Sequence, residues 1–222
     1  MPLLDCIEIS ADDTIRNSVI WLHGLGADGN DFVPVVRELA LPHTRFILPH
    51  APAIQVTINN GHTMPAWYDI YSFQPGAIQD GDGIRATQEK VEALIANELA
   101  RGIPSQRIML AGFSQGGVIA LHTALRHPAP LAGVLALSTY LALADSLSIE
   151  KHAANQHIPI FMAHGTLDNV IPLARYHASA QALQSQGYSL ELHEYPMPHS
   201  VCMEEIGDIR GFMQQQLGLS LT

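Results

Sequence analysis

A chain of 222 residues that is 47% apolar and only 14% charged carries enough apolar mass for a buried core. That excludes a disordered polypeptide and points to one α/β domain spanning 1–222. Against 21 acidic residues stand 11 basic ones, a formal charge of −10 with no Lys/Arg cluster, so nucleic acid and anionic membrane surfaces are poor partners. Cys6 and Cys202 form no disulfide framework or zinc motif, the 12 histidines show no HxH, HxxxH or HExxH spacing, and no apolar run approaches the ~18 residues of a membrane span; a metal-free cytoplasmic protein without stable membrane insertion is expected.

Short apolar runs alternate with longer amphipathic ones. Ser18–Leu22 reads as a buried strand closed by a glycine loop, and Asp31–Ala40 as a helix capped by Asn30 or Asp31. Arg45–Leu48 is a second strand. Ile84–Ala100 is a helix with Ile84, Val91, Leu94, Ile95 and Leu99 on one face, ended by Gly102. Arg107–Phe113 is a strand, Gln115–His127 a helix stopped by Pro128, and Ala132–Ser138 and Ile158–His164 are further strands. Leu173–Gln186 reads as a helix, Leu190–Tyr195 as a strand and Val201–Leu217 as the last helix. Such alternation predicts a mostly parallel sheet covered by helices on both faces. The Pro-, Gly- and Asn-rich stretch between Pro49 and Asp82 does not fit it. There Trp67, Tyr68, Tyr71 and Phe73 crowd together, either pinning a long loop to the core or walling a pocket.

Gly112-Phe113-Ser114-Gln115-Gly116 is a GxSxG placed between a buried strand and a helix. A sharp turn there lifts the Ser114 hydroxyl off the sheet, and the flanking glycines remove clashes. A serine hydroxyl needs a base, and the base an orienting acid, in the chain order Ser, acid, His. Asp168 follows the strand Ile158–His164 in a glycine-bearing loop, whereas the rival Asp145 follows no strand end. His199 follows the last strand; His193 lies within it, and His164 precedes the acid and organises its loop. Two N–H donors must hold the developing oxyanion: Gln115, after the nucleophile, and Leu25, in the loop His23-Gly24-Leu25-Gly26. The same loop spells GxGxxG from Gly24 to Gly29. A nucleotide site is disfavoured, because the second strand ends in Pro49-His50 and Asp28 and Asp31 stand where phosphates would lie.

The blocks WLHGLGADGNDF, LPHAP, TINNG, MPAWYDI, LAGFSQGG, LSTYL, HGTLDNVIP and YPMPHSV run nearly the length of the chain. Together they resemble the carboxylesterase/acyl-protein thioesterase group of α/β-hydrolases, with TINNG and MPAWYDI closer to its bacterial carboxylesterases. The resemblance implies an α/β-hydrolase fold without a large cap domain, Ser114, Asp168 and His199 as the triad, and Leu25 and Gln115 as oxyanion donors. It implies hydrolysis of short- to medium-chain acyl esters or, in some members, thioesters of lipidated proteins or lysophospholipids. No cofactor is implied, and a homodimer is left open. Pro198 stands where many relatives have glycine, and Ala66 where serine is common, so the pocket shape is free to differ. Met64, Trp67 and Val170 are assigned to its lining. The rival from another class is a non-catalytic binding protein on the same fold, which would be expected to have lost a triad member; a peptidase would share the triad.

Overall fold

The computed structural model describes residues 3–72 and 76–219; Phe73, one of the clustered aromatics, lies outside them. Nine strands and six helices succeed one another as β1 (Cys6–Ser10), β2 (Asn17–Leu22), α1 (Val33–Leu39), β3 (Thr44–Pro49), β4 (Ala53–Val56), β5 (His62–Pro65), α2 (Gly81–Ala100), β6 (Ile108–Phe113), α3 (Gln115–Arg126), β7 (Gly133–Leu137), α4 (Ala144–Glu150), β8 (Ile160–Gly165), α5 (Leu173–Ser185), β9 (Leu190–Tyr195) and α6 (Met203–Gln216), all counted among the described residues. Seven strands form one sheet in the order 1-3-2-6-7-8-9, parallel throughout except for β1, which runs antiparallel to β3.

The central strands are apolar on both sides because both sheet faces are covered. Ile20, Leu22, Ile108, Leu110, Val134, Ala136, Ile160 and Met162 point into one cluster with α2, α3, α4 and α5. Their neighbours Val19, Trp21, Met109, Ala111, Leu135, Leu137, Phe161 and Ala163 point into another, beneath α1 and α6. Alternate side chains of a strand face opposite ways, so continuous apolar runs are the signature of such a doubly covered sheet.

Three expectations need correction. The helix expected over Asp31–Ala40 begins as a 3₁₀ turn, Gly29–Phe32, capped by the Asp28 carboxylate accepting from the Asn30 N–H; α1 follows it. Leu99 is 42% exposed at the end of α2 and does not share the buried face of Ile84, Val91, Leu94 and Ile95. The stretch after Pro49 is not structureless: β4 and β5 pair as an antiparallel hairpin, joined by a turn with Asn60 and Gly61 at positive φ.

Candidate active site

β6 delivers Ser114 to the carboxyl edge of the sheet and α3 starts directly after it. Ser114 sits at φ 55°, ψ −119°, a conformation that a residue with a side chain holds only under constraint from its surroundings. Its N–H donates to the Leu137 carbonyl at 2.9 Å, and its own carbonyl accepts from the Thr139 hydroxyl at 2.6 Å. The glycines make this approach possible. A Cβ on Gly112 would lie 2.3 Å from the Gly116 carbonyl, and one on Gly116 would lie 2.3 Å from the Leu22 carbonyl.

Two further loops from the same sheet edge complete a hydrogen-bond chain that ends on the hydroxyl. His199 Nε2 is 2.9 Å from Ser114 Oγ, and His199 Nδ1 is 2.6 Å from Asp168 Oδ2. Because a carboxylate only accepts, the ring proton belongs on Nδ1, which leaves the Nε2 lone pair facing the serine. Asp168 is itself held: its Oδ1 accepts from the N–H groups of Val170 and Ile171 at 2.8 and 2.9 Å, and its side chain is wholly buried. The His199 loop lies on Gly165, where a Cβ would come within 2.3 Å of the Met197 carbonyl.

His164 forms a second layer. Its Nε2 donates to the Ile171 carbonyl at 2.9 Å and lies 3.5 Å from Asp168 Oδ2, while its ring stacks on Tyr176. Burial lowers its pKa, so a neutral imidazole braces the acid loop. His23 plays a matching part beneath the Gly24 loop. Its Nδ1–H donates to the Gly24 carbonyl at 2.7 Å and its Nε2 accepts from the Ala51 N–H at 3.0 Å, a neutral pattern that agrees with a pKa lowered by burial.

The cleft over Ser114 holds about 300 Å³ and is lined by loops from both sides of the sheet: Gly24, Leu25, Ala27 and Asp31; Tyr68 and Ile70; Tyr140; Val170 and Ile171. Leu25 and Gln115 both border it, and Gln115 opens α3, where N–H groups have no intrahelical acceptor. The Gln115 side chain is clasped by the aromatic segment: its Oε1 accepts from the Trp67 N–H at 2.9 Å and its Nε2 donates to the Tyr68 carbonyl at 2.7 Å.

Of the three residues assigned to the lining, only Val170 reaches the cleft. Trp67 is 2% exposed and sits behind the wall, its Nε1–H donating to the His23 carbonyl at 2.8 Å and its ring packed on His23. Met64, on β5, lies beside Gly26 in the loop after β2, its sulfur accepting from the Asn59 amide. Tyr68, Ile70, Tyr140 and Ile171 line the cleft without having been assigned to it; the aromatic crowding around Trp67 marked the segment but not which ring faces inward. Among the described residues, no trio of His, Cys, Asp or Glu is arranged to hold a metal ion, and no helix is long and apolar enough to cross a membrane.

A family model described as phospholipase/carboxylesterase matches residues 5–217. Acyl-protein thioesterase 1 of Neurospora crassa is 39% identical over 212 residues, covering 90% of this chain and 86% of that protein. Its namesake from Cryptococcus neoformans is 37% identical over 95% of this chain and 97% of the relative. Among solved structures, Arabidopsis thaliana SOBER1 superposes with a TM-score of 0.87 at 28% identity, covering 91% of this chain and 99% of that one. Zea mays acyl-protein thioesterase 2 superposes with a TM-score of 0.88 at 27% identity, covering 96% and 99%.

Proposed function

The chain belongs to the phospholipase/carboxylesterase family of α/β-hydrolases, and on that premise we propose that it is a serine carboxylesterase using Ser114, His199 and Asp168 on short- to medium-chain acyl esters. One observation carries the reading: the unbroken relay from Asp168 Oδ2 through His199 to Ser114 Oγ, at 2.6 and 2.9 Å, at the floor of a cleft. His199 Nε2 takes the hydroxyl proton as the Ser114 Oγ–acyl carbon bond forms. The carbonyl electron pair moves onto oxygen, facing the N–H groups of Leu25 and Gln115. Collapse of that intermediate breaks the C–O or C–S bond, and the leaving group departs with the proton from the imidazolium. A water then gives a proton to His199 and attacks the acyl-serine, releasing the carboxylic acid and restoring Ser114.

A cleft of about 300 Å³ lies at the small end of the ~300–1,000 Å³ typical of ligand pockets, which favours short and medium chains over long ones. A second reading, hydrolysis of thioesters on acylated proteins, is favoured by the names of the two fungal relatives and needs no other residue. Hydrolysis of a p-nitrophenyl series from C2 to C16 tests both the chemistry and the length preference. Turnover should peak at or below medium length and fall about 10⁴-fold or more in Ser114→Ala. A folded wild type inert at every length, or an equally active variant, would overturn the reading.

A further inference from the structure

The two walls of the cleft belong to opposite faces of the sheet. Tyr68, Ile70, Tyr140 and Ile171 are all part of the apolar cluster beneath α2 to α5, and the hydroxyls of Tyr68 and Tyr140 lie 3.1 Å apart. On the other wall, the Phe113 ring packs on His199 with centroids 4.7 Å apart, Phe32 packs on Phe113 at 5.7 Å, and Asp31 directly precedes Phe32. The leaving group must collect its proton from His199, so it departs along this second wall. The acyl chain is left with the first, which is apolar.

Charge separates the walls further. Among the described residues lining the cleft, Asp31 is the one carboxylate, and no Lys or Arg accompanies it. Asp28 spends its carboxylate on the Asn30 N–H and side-chain amide, at 2.7 and 3.0 Å, whereas Asp31 is exposed at the cleft. Arg175 stacks on Tyr140, 3.3 Å from the ring centroid, outside the lining and in a side groove shared with Asp69 and Asp80.

Taking the acyl-transfer reading above as given, we propose that Asp31 selects the leaving group: alcohols and thiols that are neutral or cationic are accepted, and anionic ones are rejected. A unit charge seated several ångströms from an exposed carboxylate changes kcat/KM about three- to tenfold, in opposite directions for the two signs.

Three thioesters of one acyl chain isolate the effect: of thiocholine (cationic), 2-mercaptoethanol (neutral) and 2-mercaptoethanesulfonate (anionic), the released thiol being read with a disulfide dye. Wild type should rank them in that order. Asp31→Asn should cut the cationic-to-anionic ratio of kcat/KM about tenfold, Asp31→Lys should invert it, and 0.5 M salt should compress the wild-type ratio. Equal kcat/KM for the three in wild type, or a ratio untouched by Asp31→Asn, would overturn the role of Asp31 while leaving the hydrolase standing. Failure on the neutral thioester and on the p-nitrophenyl series alike would overturn both.

Discussion

Glu205 occupies the first turn of α6, three residues after the cap residue Cys202, and is completely buried. Neither carboxylate oxygen makes a hydrogen bond of ordinary geometry among the described residues. Burial pushes its pKa from 4.5 to about 8; the negative field of Asp208 adds to the rise, and the Cys202 N–H gives only partial relief. Tyr195, whose hydroxyl donates to Asp208, shares this neighbourhood and has its own pKa raised by burial. The sign of the linkage follows. Between pH 4.5 and pH 8 the unfolded chain has released the Glu205 proton and the native protein still holds it, so stability falls as pH rises. A shift of this size corresponds to about 5 kcal/mol across that window. Glu205→Gln keeps the shape and removes the ionisation. Urea unfolding followed by fluorescence should therefore give curves that coincide near pH 4 and separate as pH rises, the variant ahead by a few kcal/mol at pH 8.5 with an unchanged m-value. Because every other titrating group is common to both proteins, a gap that stays constant with pH would refute the reasoning. So would a less stable glutamine variant at pH 8.5, which would mean that the native carboxylate ionises with a partner.

Gly165→Ala drives a Cβ into the Met197 and Pro198 carbonyls, 2.3 and 2.5 Å away, so it should cost about 2 kcal/mol or more in a melt and lower kcat at least tenfold by displacing His199. A variant with normal kcat would show that the His199 loop is not held against β8. Trp67→Phe leaves the His23 carbonyl without its indole donor; a stability loss of about 1–3 kcal/mol and a kcat reduced by several-fold are expected, measured by urea unfolding and ester hydrolysis. His164→Phe preserves the stacking on Tyr176 but removes the donor to Ile171 and the approach to Asp168. Steady-state kinetics should show kcat down about tenfold with KM little changed, and an equal change in both would assign His164 to packing alone.

The parts of this molecule that could be read from its residues are those whose cause is local. β2, β6, β7 and β8 announce themselves because strands covered on both faces carry near-continuous apolar runs, Val19–Leu22 and Ile160–Ala163 among them. β1 does not, since Cys6–Ser10 is a half-buried edge strand whose pairing with β3 depends on residues some forty positions away. The hairpin β4–β5 hides for a related reason: its four-residue strands are mostly partly or fully exposed and carry no periodic apolar pattern. The same division runs through the cleft. Ser114, Asp168 and His199 each sit on a turn whose steric demands are written in adjacent glycines and prolines, so the proposed triad is legible one loop at a time. The walls are not. Whether Trp67 or Tyr68 faces the cleft is decided by Gln115, 48 and 47 positions later, clasping their backbone, and Tyr140 enters through a hydrogen bond spanning 72 positions. On the proposed mechanism, bond-making rests on short-range turns and selectivity on contacts between distant loops. A closely similar triad can therefore sit under differently shaped walls, and relatives at 37–39% identity are a firmer guide to the reaction than to the substrate.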